Sequence, residues 1–312
     1  MAINITTVYA GEVLEQLLVR ATTGNELVNG GHIRVQPNVE KKFSIPRLRV
    51  GQMLQQRKEQ PVQSDAKGNF NIDEKYLEPV DFMAFTTFNP RSFEQFWRKW
   101  QPTGPLVFRD LPAEAQNAFL TEIAKTVDFE LGGHFITGVK GTTDDKLFNG
   151  ILTRIVADTA VIKVGTPATP ITEANVIAEM KKVRAAIPKA VRGQSNLKMF
   201  MSHEDADMYD YVLTEKPYKG ADYTNMNPER FKGIPIVRLA GWPKNVIVAA
   251  VASAGLDSNF WAGVSYVNDD EVIMVDRLTN PGELYFFKML MKVDTNIVFG
   301  EDIVLLDNRA AQ

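Results

Sequence analysis

The stretch MLQQRKEQPVQSDAKGN, Met53 to Asn69, limits most severely what this chain can fold into. Neither helix nor strand periodicity holds across its seventeen residues, and it offers almost nothing to bury. The segments on either side nevertheless read as strands. Residues 41–55 alternate at Phe43 and Ile45. After Pro46 the phase slips by one and Leu48 and Val50 take over, which predicts an edge strand with a bulge. Residues 69–88 read as a returning strand through Phe70, Ile72, Val80, Phe82 and Phe88. The expectation is a long two-stranded arm with a polar tip.

The two limbs differ in charge. Residues 41–58 carry Lys41, Lys42, Arg47, Arg49, Arg57 and Lys58 with no acid. Residues 69–82 carry Asp73, Glu74, Glu78 and Asp81 against Lys75 alone. Either the limbs attract each other across the hairpin, or they pair with a neighbouring subunit. The candidate contact residues for the second reading are Arg47, Arg49, Arg57, Lys58, Lys67, Asp73, Glu74 and Glu78.

A chain of 312 residues has room for about two domains. Its 45% apolar and 23% charged content is ordinary for a globular protein. The net charge of −3 gives no basic surplus for sequence-specific nucleic-acid binding, so a chain like this meets DNA only by enclosing it. With no cysteine, disulfides, thiolate catalysis and cysteine zinc sites are excluded, and a reducing compartment fits. The start MAINITTVYAGEVLEQLLV lacks the basic and apolar regions of a secretory signal, and no run of eighteen uncharged apolar residues occurs.

The remaining chain reads as helices first and strands later, an α+β pattern. A short helix is expected over 7–20, capped by Thr7, with Tyr9, Val13 and Leu17 on one face, and residues 21–40, polar and Gly-rich, as an arm or loop. Asn89 and Pro90 open a helix in NPRSFEQFWRKWQPTGP whose Phe93, Phe96, Trp97 and Trp100 read as core. The longest helix is expected over 112–131, capped by Asp110, with Leu120, Ile123, Val127 and Leu131 as its stripe and Gly132-Gly133 as its stop. A helix over 173–187 takes Thr172 as cap and Ile171 and Val176 as staple. It buries Val176, Met180, Val183 and Ile187, and ends at Pro188. A shorter helix covers 203–213. From 231 onward KGIPIVRLA, NVIVAAVA, NFWAGVSYV and EVIMVDRL read as successive strands, and 283–307 as a long strand pair.

The sequence carries little chemistry. His32, His134 and His203 are scattered. His203 in SHEDADMYD lacks the second histidine that would put two imidazoles on one helix face. The acids there read as a capped helix start rather than a metal site. VNDDEV reads as a hairpin turn. No nucleophile elbow and no phosphate loop occurs. No catalytic, cofactor-binding or metal-binding residue is assigned, and a carboxylate pair formed only in space stays open as the basis of an enzyme.

The order of parts, together with TFNPRSFEQFWRKWQP, FNGIL and FKGIPIV, resembles the major capsid protein of tailed bacteriophages, the Hong Kong ninety-seven type fold that encapsulin shells share. The resemblance covers essentially the whole chain. It implies an N-terminal arm (1–40), an extended two-stranded loop (41–88) and a peripheral domain (89–164 and 280–312) with a spine helix at 112–131. An axial domain (165–279) is then inserted in the peripheral one. It implies a structural protein without cofactor that forms pentamers and hexamers of an icosahedral shell around double-stranded DNA. Assembly would take place in the host cytoplasm and the product would be the virion. A portal and decoration proteins are implied partners, and no membrane is. Many relatives begin with a scaffolding segment of about a hundred residues. Here the arm starts within about forty residues of Met1, which implies a separate scaffolding protein. Lys58 and Lys67 near the tip read as solvated rather than as crosslinking lysines. An encapsulin-like compartment is the alternative, although the excursion of about 48 residues is long for one.

Overall fold

A computed structural model of the chain describes residues 7–8, 26–68, 70–89, 98, 103, 113–214, 230–265, 273–278 and 284–310. The expected helix over 89–105, the turn at 267–272 and most of the helix over 7–20 lie outside them. Thr7 and Val8 form a short strand, β1, rather than a helix start. Within the stretch 21–40, read as an arm or loop, helix α1 (Glu26–Asn29) and strand β2 (Arg34–Gln36) form, and Leu27, Ile33 and Val39 are buried.

Strands β3 (Phe43–Val50) and β4 (Phe70–Leu77) form a two-stranded antiparallel sheet. The pairing runs from Phe43 opposite Leu77 to Val50 opposite Phe70 without interruption, so no bulge forms at Pro46. The strand phase therefore does not slip. Arg47 takes the inner position that follows Ile45, and Leu48 and Val50 face outward. The returning limb is two strands. After Glu78-Pro79 it becomes β5 (Val80–Phe88), which joins the body.

Helix α2 (Ala113–Thr137) runs through Gly132-Gly133 instead of stopping there. Its apolar stripe continues past the glycines to Phe135 and Ile136, both buried, so packing overrides the local stop signal. It ends at Gly138, where a Cβ would lie 2.7 Å from the Phe148 carbonyl oxygen. Helix α3 (Ile151–Ala157) follows, and then β6 (Ile162–Lys163). Helix α4 (Val176–Ala186) buries Val176, Met180 and Val183, as its spacing predicts, but starts from Asn175 after a turn in which the Asn175 side chain accepts from the Thr172 amide. Strand β7 (Leu197–Ser202) leads into α5 (His203–Thr214), whose entry the Ser202 hydroxyl caps by accepting from the Asp205 amide.

The strands that follow are β8 (Arg230–Phe231), β9 (Ile234–Leu239), β10 (Val246–Val251), β11 (Phe260–Ser265), β12 (Ile273–Arg277), β13 (Tyr285–Ile297) and β14 (Val304–Asp307). With the earlier strands they build, among the described residues, two six-stranded sheets. One runs β1-β12-β13-β11-β2 with β5 also on β13; the other runs β6-β14-β10-β7-β9-β8. Thus β13 and β14 are not a strand pair, because they serve different sheets.

Strand β10, VIVAAV, is buried at every residue because its sheet is covered on both faces. Val246, Val248 and Ala250 face a core shared with α2, α3 and the first sheet. Ile247, Ala249 and Val251 face a second core under α4 and α5. A third, small cluster of Ile45, Leu77, Trp261 and Val298 seats the base of the hairpin.

His32 packs edge-on to Phe200, with centroids 5.6 Å apart, and its Nδ1 lies 2.9 Å from Lys198 Nζ. Burial, and then the Lys198 charge, hold its pKa down at about 4. As pH falls from about 6.5 toward 4, the unfolded chain takes up this proton and the folded one does not, so folding stability drops. His32→Gln should remove about 1–2 kcal/mol of that acid destabilisation, the imidazole being only partly screened from water; urea unfolding at pH 7 and pH 4.5 checks it. Phe135→Ala should cost about 3–5 kcal/mol by the same measurement. Phe129→Ala, at a position 82% exposed on the same helix, should change stability by less than about 0.5 kcal/mol.

Candidate functional site

The hairpin β3–β4 has two unlike faces, and its alternation decides which residues lie on each. On the inner face Phe43, Ile45 and Leu77 pack toward Trp261, Val298 and Phe299. Arg47 continues that face and is only 8% exposed. Its guanidinium makes a fork to the Asp73 carboxylate, Nε donating to Oδ1 at 2.9 Å and Nη2 to Oδ2, while Nη1 donates to the Val298 carbonyl. A buried charge is tolerable only when paired in this way.

Further contacts fix the hairpin to the body. Arg49 Nη2 meets Glu301 Oε1 at 2.9 Å, and Lys75 Nζ meets Asp158 Oδ2 at 3.0 Å. The Glu78 amide donates to Asp294 Oδ2 at 2.9 Å, and Asn296 Nδ2 donates to the Tyr76 carbonyl at 2.7 Å. Burial pushes the Asp294 carboxyl up, opposed by that amide and by Arg154, whose Nη2 lies 3.0 Å away. Lys42 bridges to Glu78 at 3.0 Å and sits 3.7 Å above the Tyr76 ring centroid.

The outer face carries apolar side chains in cross-strand pairs, Leu48 opposite Ile72 and Val50 opposite Phe70. They are 57%, 70%, 43% and 66% exposed. Neighbours of this kind on a covered face would form a core layer; here nothing of the described chain lies over them. At the tip Met53, Leu54 and Val62 are also exposed. Lys58 pairs with Asp65, which also accepts from the Val62 amide at 3.1 Å, so a small closed turn holds the tip.

Of the contact residues expected from sequence, Arg47 and Asp73 join each other, Arg49 joins Glu301, Glu78 joins Lys42, and Glu74 accepts from the Tyr76 hydroxyl at 2.8 Å. These are bonds within one chain, so attraction across the hairpin accounts for several of them. Arg57 and Lys67 are exposed near the tip. The anchors Lys75, Asp158, Asp294, Asn296 and Glu301 are not visible in the sequence as contacts, because their partners lie far along the chain. One signal was available: an unbroken period of two from Phe43 places Arg47 inside and Leu48 and Val50 outside.

The acids after His203 are tied to protein groups. Glu204 pairs with Lys244, Asp207 with Arg238, and Asp205 accepts from the Asn245 amide.

No protein-family model and no curated protein matches the sequence. Solved structures do match. A chain of the satellite phage P4 procapsid that includes the size determination protein aligns with TM-score 0.66 at 13% identity, covering 99% of this chain and 94% of that one. A chain from the capsid of an empty GTA particle aligns with TM-score 0.56 at 15% identity, covering 88% and 94%. The virus-like particle of Pyrococcus furiosus aligns with TM-score 0.55 at 10% identity, covering 95% and 98%. What is shared at these identities is the fold. This chain has the fold of phage capsid proteins, the one its order of parts resembles.

Arg47→Leu removes the guanidinium from the hairpin base and leaves Asp73 half-exposed beside apolar groups. It should cost about 1–3 kcal/mol in folding stability. Leu48→Ser on the outer face should leave the stability of the isolated chain within about 0.5 kcal/mol. Thermal unfolding of the two variants side by side separates the faces.

Proposed function

We propose that this protein is a structural shell protein whose copies associate into a closed capsid. The reading rests chiefly on one observation: a hairpin rigidly anchored on its inner face holds out an uncovered outer face of Leu48, Val50, Phe70 and Ile72. Contiguous exposed apolar side chains on a soluble protein mark a protein–protein contact. The capsid fold supplies the kind of partner, a neighbouring copy of the same chain. A patch that meets a different surface of the next copy makes a head-to-tail contact, and such contacts close into rings and shells.

In this reading the arms lie across neighbours within pentamers and hexamers, and the shell encloses double-stranded DNA. The mild negative net charge suits a wall that contains DNA without gripping it. A separate scaffolding protein, a portal and decoration proteins belong to the same reading. So does residence in the virion after assembly in the host cytoplasm. No catalytic role is assigned to the chain.

Electron microscopy of the purified assembly, with its 260/280 nm absorbance ratio, tests this. Closed particles rich in nucleic acid are expected. Closed particles holding only protein would point instead to a protein-enclosing compartment. A monomer in the presence of its assembly partners would overturn the shell reading. Leu48→Ser combined with Ile72→Ser should leave a folded chain that yields at least about tenfold fewer closed particles, read by sedimentation.

A further inference from the structure

Residues 180–202 carry Lys181, Lys182, Arg184, Lys189, Arg192 and Lys198 and not one acid, in a chain whose net charge is −3. Helix α4 gathers most of these cations on one surface. Its buried residues Val176, Met180 and Val183 belong to the second core, which leaves Ala178, Lys181, Lys182 and Ala185 exposed on the other side. After Pro188 the chain turns, and Lys189, Ala190, Arg192 and Gly193 are exposed there too. Arg192 folds back on the helix end. Its Nε donates to the Ile187 carbonyl at 2.9 Å and its Nη2 to the Ala185 carbonyl at 2.7 Å. Ala185 lies one turn beyond Lys181 on the same side of the helix, so these charges flank one exposed surface.

The fold uses little of this charge. Lys182 pairs with the buried Glu179 at 2.6 Å, and Lys198 Nζ lies 2.9 Å from His32 Nδ1. Lys181, Arg184 and Lys189 have no acidic partner among the described residues. The helix dipole accounts for Arg184 and Arg192 at the end of α4, but its effect fades within the last turn and leaves Lys181 unexplained. Glu173, an exposed acid on the same segment, stands before the opposite end of the helix.

The make-up of the surface says which partner it fits. A protein partner needs an apolar anchor to hold it. Among the described residues no large apolar side chain is exposed between Val156 and Tyr211. Between the charges lie Ala178, Ala185, Ala190 and Gly193, short enough for another backbone to come close. Cations spaced by small side chains suit the phosphates of a nucleic acid, which need charge and close approach rather than an apolar pocket.

We propose that this surface, Lys181 to Arg192 on α4 and the turn after it, is the inward-facing contact of the shell for the phosphate backbone of double-stranded DNA. This rests on the shell reading above and names the face of the chain that meets the genome. The contact is made by charge, so it carries no sequence preference. Lys181, Arg184, Lys189 and Arg192 hold weakly in each copy, and the acidic remainder of the chain keeps the wall from holding more.

Fluorescence anisotropy of a labelled DNA duplex of random sequence, titrated with the full chain before assembly, tests the patch. Binding is expected that becomes on the order of a hundredfold weaker from about 50 to about 200 mM salt, as for about four phosphate contacts. Lys181→Glu combined with Lys189→Glu, both at exposed positions, should weaken it at least about tenfold. The same charge change at exposed Lys140 and Lys146 should weaken it less than about threefold. Equal losses from the two pairs, or none from the first, overturn the patch. Equal binding of polyglutamate and DNA rejects nucleic acid in favour of an acidic protein tail. On closed, filled particles an amine-reactive dextran too large to enter should leave Lys181 and Lys189 unlabelled until the shell is taken apart; labelling of intact particles overturns the inward placement. Absence of any closed particle overturns the shell reading and the inward placement together, whereas loss of DNA binding alone overturns only the patch.

Discussion

A guanidinium buried in the base of a two-stranded arm is the constraint from which the rest of the site follows. Arg47 cannot be left unpaired where it sits, and its planar fork satisfies itself in only one orientation relative to Asp73 and the Val298 carbonyl. That orientation fixes which face of β3 looks inward. Once Arg47 and Ile45 are inside, Leu48 and Val50 are outside, and Ile72 and Phe70 across the pair are outside with them. The exposed apolar face is thus a consequence of the buried charge. The contacts Arg49–Glu301, Lys75–Asp158 and Glu78–Asp294 then deny the hairpin the freedom an isolated two-stranded ribbon would have.

The body carries the arm on a well-filled core. The second sheet is covered on both faces, by α2, α3 and the first sheet on one side and by α4 and α5 on the other. Strand β10 has no exposed residue left. Among the described residues, apolar side chains stay uncovered on the outer face of the hairpin and at its tip, and also at Met83 and Phe85 on β5 and at Leu256. In a chain that works alone, such patches would be liabilities. On the shell reading proposed above they are joints between copies.

Much of this architecture is legible in the residue pattern. The alternation at Phe43 and Ile45, the polar stretch from Met53, the stripe from Leu120 to Leu131 and the buried run of NVIVAAVA place the hairpin, the long helix and the central strand, and the order of parts points to the capsid fold. Some features mislead because a local signal loses to a distant one. Pro46 suggests a bulge, but the strand pairs straight through it. Gly132-Gly133 suggests a helix stop, yet Phe135 and Ile136 beyond it have a core to enter. The long C-terminal strands suggest a pair, yet each finds a better neighbour in a different sheet.

The sequence by itself therefore determined the elements and the polarity of each face, because periodicity and turn chemistry act over a few residues. Only the tertiary structure decided which charges are anchored within the chain and which are left in solvent. Arg47 and Arg57 look alike in the sequence, ten positions apart on one limb. One is buried because Asp73 on the facing strand and Val298, far along the chain, converge on it; the other is left in solvent because no described residue does.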